Sequence, residues 1–340
     1  MVRIPGSGLQ SRTQLWILWQ SPKGGYSAVG LETVAASIEG KSAKGKVDAV
    51  ESFVFNGMPS QFVKPGADPN PSPLFPKADD YLEKVTTLRV RLHRLCCLSL
   101  GIANENFFED SFYDEAHHTD ALRFAYYPPP DDAAGAGADP EAPPQLRYGA
   151  HTDYQDLTVL KPDYNDWTEL RAEGGRGGDE GDTKTDAVSV PTTGGLQILK
   201  RDAPDVESSW EAVIIHHDPT DPEIDAPLII NIGDFWNAWT ADRWRSPLHR
   251  VTKSGTFLDK GAMKPQSANS VASKERQAIV YFSIPKDSSM IEPLCGSNIS
   301  SFSQLGEEGS SDASNPYHPN NYTPVRSSEH LAAKIARSNA

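Results

Sequence analysis

Two hydrophobic rhythms divide the chain. From Asp79 to Leu100 apolar residues recur at intervals of three and four, at Leu82, Val85, Leu88, Leu92, Leu95 and Cys96. That spacing lines one face of an α-helix and predicts a helix with one buried stripe, ended by Gly101. Arg89, Arg91 and Arg94 fall largely off the stripe, and His93 is read as a surface or boundary residue. After Leu122 the rhythm changes to short apolar runs bounded by turn residues, the pattern of strands. These runs are Leu122 to Tyr127, Leu157 to Leu160, Gly195 to Leu199, Trp210 to Ile215, Leu228 to Ile232 and Arg276 to Pro285. Gly233-Asp234 is a turn signal after an apolar run, and Phe235-Trp-Asn-Ala-Trp239 brings aromatic bulk, read as core packing ahead of pocket lining. Glu329 to Arg337 predicts a short C-terminal helix.

Between these elements the pattern lapses. Residues 1–46 carry one apolar knot, Leu15 to Trp19, and allow one strand and a turn over Lys23 to Gly30. Pro65, Pro69, Pro71, Pro73 and Pro76 exclude helix and inner strand there. Pro128 to Gln145 and Glu169 to Thr193 are rich in Pro, Gly, Ala and acids and predict exposed, mobile loops. Within the second, Gly174-Gly-Arg-Gly-Gly178 has no buried strand before it and no Gly-Lys-Ser/Thr after it, so it is read as a hairpin tip and not a phosphate loop. Gly306 to Ser314 is acidic and Ser-rich and is also read as loop.

A length of 340 residues suffices for one full core. The net charge of -14 argues against nucleic acid, whose phosphates call for basic patches. Cys96, Cys97 and Cys295 do not form the even framework of a disulfide-stapled protein, and a reducing compartment is expected. No stretch has the length of a membrane span and no basic-then-apolar leader opens the chain, so the expectation is a soluble, cytoplasmic monomer.

The candidate chemistry lies in Arg147-Tyr-Gly-Ala-His-Thr-Asp-Tyr-Gln-Asp-Leu-Thr-Val-Leu160. Two residues apart on an extended strand, His151 and Asp153 project to the same side and can grip one ion. Two further His-x-Asp sets occur, His118-Thr-Asp120 in an acidic loop and His216-His-Asp218 at a strand end before a proline turn; both are read as ordinary polar residues. Only His151 leads into an apolar run. A second imidazole would complete a 2-His-1-carboxylate facial triad for a divalent first-row metal, and His249 is the candidate, in the β-prone context after Pro247. Arg276 opens a buried strand, and a buried guanidinium calls for an anion; near a metal a dicarboxylate suits its fork.

Taken in order, Leu122-Arg-Phe-Ala-Tyr-Tyr-Pro-Pro129, His151-Thr-Asp153, Gly194-Gly-Leu-Gln-Ile198, Asn231-Ile-Gly-Asp234, Arg245-Ser-Pro-Leu-His-Arg-Val251 and Arg276 onward resemble the Fe(II)/2-oxoglutarate-dependent dioxygenase superfamily, in its isopenicillin-N-synthase-like branch. The resemblance implies a mainly β fold with flanking helices, a double-stranded β-helix or jelly-roll. It implies Fe(II) held by His151, Asp153 and His249, with Arg276 on the distal carboxylate of 2-oxoglutarate and Tyr127 helping to hold that cosubstrate. It implies division into an abbreviated N-terminal region with the support helix (1–118), the jelly-roll (119–287) and a C-terminal loop and helix (288–340). The implied activity consumes 2-oxoglutarate and dioxygen to oxidise a small molecule, by default one of secondary metabolism. The chain departs from the family pattern at Ala278, where a serine is common, at Ala125, where many members have asparagine, and in its short opening segment. Two other readings therefore stand beside the first: a cosubstrate-free oxidase of the isopenicillin N synthase kind, and a catalytically inactive binding protein.

Overall fold

The computed structural model describes residues 24–32, 34, 48–62, 74–113, 119–128, 146–162, 167–170, 188–191, 195–213, 215–216, 228–252, 275–294 and 322–338. The elements begin with β1 (Gly24–Ser27), β2 (Glu51–Asn56), helix α1 (Leu74–Leu100), α2 (Phe107–Phe112), β3 (Ala121–Tyr127), β4 (Leu146–His151) and β5 (Leu157–Pro162). Next come β6 (Trp167–Leu170), β7 (Val188–Pro191), β8 (Leu196–Leu199), β9 (Trp210–Ala212), β10 (Ile215–His216), β11 (Ile229–Ile232) and α3 (Asp234–Trp239). The last are β12 (His249–Thr252), β13 (Arg276–Phe282), β14 (Met290–Ile291), β15 (Val325–Arg326) and α4 (Ser327–Ser338).

The strands make an antiparallel jelly-roll of a six-stranded sheet, β1-β2-β3-β13-β5-β11, and a four-stranded sheet, β4-β12-β8-β9. The pleat sorts the side chains of the larger sheet by alternation. Leu122 and Tyr281 point outward and pack with Leu82 and Val85 of α1, while Ala125, Tyr127 and Ala278 point inward and meet Tyr148 and Val251 of the smaller sheet. A third cluster joins Cys97 and Leu100 of α1 to Phe108 and Phe112 of α2 and to Phe235, Trp236 and Trp239 of α3. Trp236 and Trp239 are therefore core residues, as their aromatic run predicts.

Three expectations need revision. The helix begins at Leu74 and includes Pro76, which its first turn tolerates because the amide missing from proline would have no intrahelical partner there. Its buried face is Ala78, Leu82, Val85, Arg89, His93, Cys97 and Leu100, so Arg89 and His93 belong to the stripe and Leu95 does not. The acidic insertion is not all loop: β6 and β7 pair antiparallel, with β10 on the other side of β7, and residues 171–187 between them lie outside the described residues. β1 and β2, from the expected N-terminal region, continue the larger sheet beyond β3. The apolar knot at 15–19, the proline cluster before Leu74 and the Gly-rich tip at 174–178 are outside the described residues.

Leu82 is 1% exposed beneath the larger sheet, whereas Leu98 on the same helix is 77% exposed. Leu82→Ala should cost about 2–5 kcal/mol in urea unfolding and Leu98→Ala no more than about 0.5 kcal/mol.

Candidate metal centre

β4 and β12 are neighbours in the smaller sheet, and their register places the Cα of His249 opposite that of His151. Residues directly opposite in an antiparallel pair share a face, so both imidazoles project into the space between the sheets, ring centroids 4.1 Å apart. Asp153 lies just past the end of β4, and its Oδ1 is 3.7 Å from the Nε2 of each histidine. The three candidate ligand atoms all lie within 4.8 Å of one another, and all three residues are buried. Among the described residues this is the one His/Cys/Asp/Glu cluster of metal-holding geometry.

What surrounds the three fixes which atoms they present. The Nδ1 of His151 is 2.9 Å from the carbonyl of Gly149, and the Nδ1 of His249 is 2.9 Å from the carbonyl of Pro247. A carbonyl can only accept, so each Nδ1 carries the proton and each Nε2 offers a lone pair inward. Burial, and then the adjoining His249 imidazole, push the His151 imidazolium well below the ordinary range, which keeps His151 a neutral donor. Burial works against the Asp153 carboxylate, but the adjoining imidazoles and the donors on Oδ2 hold it below the usual range. Those donors are Thr158 Oγ1 at 2.7 Å and Asn231 Nδ2 at 2.6 Å, so Oδ1 is left facing the histidines. Two neutral nitrogens and one anchored carboxylate oxygen on one side of a point suit a divalent first-row ion with positions left open. Asp48, which its sequence context did not mark, ties β4 in place by accepting the Gly149 amide at 2.7 Å.

The triad opens on a cavity of about 910 Å³. Leu160, Leu196, Ile198, Val251, Val280 and Phe282 give it apolar walls. Among the polar residues that interrupt them, Arg123 donates to Glu32 at 2.9 Å and to the Tyr148 hydroxyl at 3.0 Å, and that hydroxyl donates to Glu32 at 3.1 Å. Tyr148 stands edge-on to His151, centroids 4.9 Å apart. Tyr127 lines the cavity, and Arg276, its Cα partner, is buried beside it with the guanidinium carbon 5.8 Å from the ring. Ala125 and Ala278 oppose each other in the same register and are both buried.

The other His-x-Asp sets are His118-Thr-Asp120 and His216-His-Asp218. His118 lies outside the described residues, and His216 is on β10 in another sheet. Asp120, however, is buried and structural: it accepts from Arg89 Nη1 at 2.8 Å and from Tyr281 at 2.7 Å. Arg89 also meets Glu109 at 2.8 Å, and His93 lies between Glu109 and Asp156, 2.7 Å from each. Burial alone would push the His93 imidazolium down; Asp156 and then Glu109 outweigh it and raise it to about 9. A polar residue repeating on an apolar helical stripe was the signal for this network, and both Arg89 and His93 carry it.

No protein-family model matches the chain. Gibberellin 20 oxidase 1 of Arabidopsis thaliana is 24% identical over 217 residues, 63% of this chain. The 2-oxoglutarate-Fe(II) type oxidoreductase ppzC of Metarhizium rileyi is 25% identical over 172 residues, half of this chain. The matches span 38% and 34% of those relatives' own lengths. Among solved structures, a full-length Neurospora crassa protein in complex with alpha-KG superposes with a TM-score of 0.55 at 20% identity, over 96% of this chain and 77% of that one. The same Neurospora protein in complex with alpha-KG and thymine gives a TM-score of 0.52 at 19% identity, over 98% of this chain and 85% of that one. A putative 2OG-Fe(II) oxygenase family protein of Caulobacter crescentus gives 0.54 at 19% identity, over 97% and 80%. These likenesses to solved structures establish the jelly-roll.

His93 holds its proton more tightly folded than unfolded, so its contribution to stability is complete below about pH 6.5 and is lost as pH rises towards 9. Unfolding free energy should fall by a few kcal/mol across that window, and His93→Gln should remove most of that slope in urea titrations at stepped pH.

Proposed function

We propose that this chain, a member of the Fe(II)/2-oxoglutarate-dependent dioxygenase superfamily, holds Fe(II) at His151, Asp153 and His249 and couples oxidative decarboxylation of 2-oxoglutarate to oxidation of a small, largely apolar molecule. The observation that carries this reading is the convergence of two Nε2 atoms and one carboxylate oxygen inside a buried cavity. When bound, the ion supplies the redox and Lewis-acid centre at which cosubstrate and dioxygen react.

The protein's own part is orientation and exclusion of water. The carbonyls of Gly149 and Pro247 lock the imidazole tautomers, and Thr158 with Asn231 stops Asp153 from rotating. Arg276, buried opposite the cavity residue Tyr127, would receive the distal carboxylate of 2-oxoglutarate. The substrate would lie along the apolar wall. Glu32 already balances the charge of Arg123, so the polar group with Tyr148 suits a neutral hydrogen-bonding function on the substrate better than a second anion. In this reading residues 119–287 carry the chemistry, 1–118 add sheet edge and support helix, and 288–340 add the closing helix.

Ala125 facing Ala278 favours, as a second reading, a cosubstrate-free oxidase using the same centre, because that stretch of wall offers a carboxylate no side-chain hydroxyl or amide. Burial of Arg276 beside the cavity favours the first. Succinate separates them: protein loaded anaerobically with Fe(II), then given 2-oxoglutarate and oxygen, forms it under the first reading and not under the second.

His151→Ala or His249→Ala should abolish Fe(II) binding and succinate formation, and His216→Ala should leave both intact; equal loss in all three would remove the site assignment. Arg276→Ala should raise the KM for 2-oxoglutarate roughly thirtyfold, the equivalent of about 2 kcal/mol for a charge-assisted contact, and an unchanged KM would contradict its role.

A further inference from the structure

Asp120, Arg89, Glu109, His93 and Asp156 form a ladder of alternating charge, each pair 2.7 or 2.8 Å apart. It runs from the start of β3, across α1 and α2, to the segment that carries Asp153. Residues 152–156 lie outside the strands, so their position is set by what grips them. From one side the start of α3 does so: the amides of Asp234, Phe235 and Gly233 donate to the carbonyls of Asp153, Gln155 and Asp156. The approach is so close that a Cβ on Gly233 would stand 2.1 Å from the Gln155 oxygen. From the other side the grip is on the Asp156 carboxylate, which is 0% exposed. Tyr113, Ser283 Oγ at 2.9 Å and Trp236 Nε1 at 2.6 Å donate to it, and His93 Nε2 meets it at 2.7 Å.

We propose that His93 is a positioning residue for the metal centre, acting through Asp156 to hold the segment of Asp153 in register with the two imidazoles. The proposal rests on reading His151, Asp153 and His249 as the ligands. Among the described hydrogen-bond partners of Asp156, His93 is the one able to bring positive charge. A carboxylate sealed from water with neutral donors alone is costly, and the segment would relax toward a wetter position. Asp153 is three residues away, and a metal ligand tolerates displacement of only about 0.5 Å.

The experiment uses the full chain with Co(II) as the probe, read by its visible ligand-field absorption at a temperature where circular dichroism shows each variant folded. Wild-type protein should bind Co(II), and D153N should not. H93Q and D156N should each weaken binding about tenfold and alter the spectrum, in line with the effect of outer partners on metal sites. The double variant H93Q/D156N should lose no more than the weaker single variant. Leu82→Ala, which lowers stability without touching the ladder, should bind like wild type. Should H93Q not fold, Ser283→Ala takes its place, with a loss of about two- to fivefold. Wild-type affinity and spectrum in H93Q, or a loss in Leu82→Ala as large as in H93Q, overturns the positioning role alone. Failure of wild type to take up Co(II), or undiminished binding by D153N, overturns the ligand assignment instead.

Discussion

A buried carboxylate between two buried imidazoles is the interaction on which the rest of this structure depends. Three polar groups so close together, with little water, are costly unless each has a partner for every atom it turns away from the cavity. Here each does. The outward imidazole nitrogens meet backbone carbonyls, and the second aspartate oxygen meets a hydroxyl and an amide. What faces inward is therefore a fixed set of lone pairs, the arrangement a cation would complete.

The fold exists, from this standpoint, to hold that set still. Placing β12 between β4 and β8 brings His249 opposite His151, although they are 98 positions apart in the chain. The pleat then turns Arg250 to the far side, where Gln197, Glu207 and the Trp210 ring take its charge, and leaves the cavity to His249 and Val251. The larger sheet supplies the opposite wall with Arg123, Ala125 and Tyr127 in one inward row. Outside it α1 is joined by an apolar stripe and also by charge, which links the support layer to the segment of Asp153.

Much of the site was legible in the chain because metal ligation and strand periodicity both leave local marks. His151-Thr-Asp153 before an apolar run, His249 in a β-prone stretch and Arg276 opening a buried strand stand out one at a time; all are buried, the two histidines and Asp153 lining the cavity and Arg276 standing behind its lining residue Tyr127. Less visible was anything that depends on a partner distant in sequence. His93 and Arg89 look like solvated helix residues until Glu109, Asp120 and Asp156 are placed around them. The pairing of β6 with β7 was hidden for a similar reason, since four-residue runs flanking a long stretch rich in glycine and acids do not announce a strand without their neighbour. The Arg123–Glu32 pair needed β3 and residue 32 to be brought together by the sheet edge at β1 and β2.

The most direct measurement is anomalous diffraction at the iron edge from crystals grown anaerobically with Fe(II) and 2-oxoglutarate. The account predicts one strong peak bounded by His151 Nε2, His249 Nε2 and Asp153 Oδ1, with the far carboxylate of 2-oxoglutarate on Arg276. A peak elsewhere, or none between the two histidines at full loading, would contradict it.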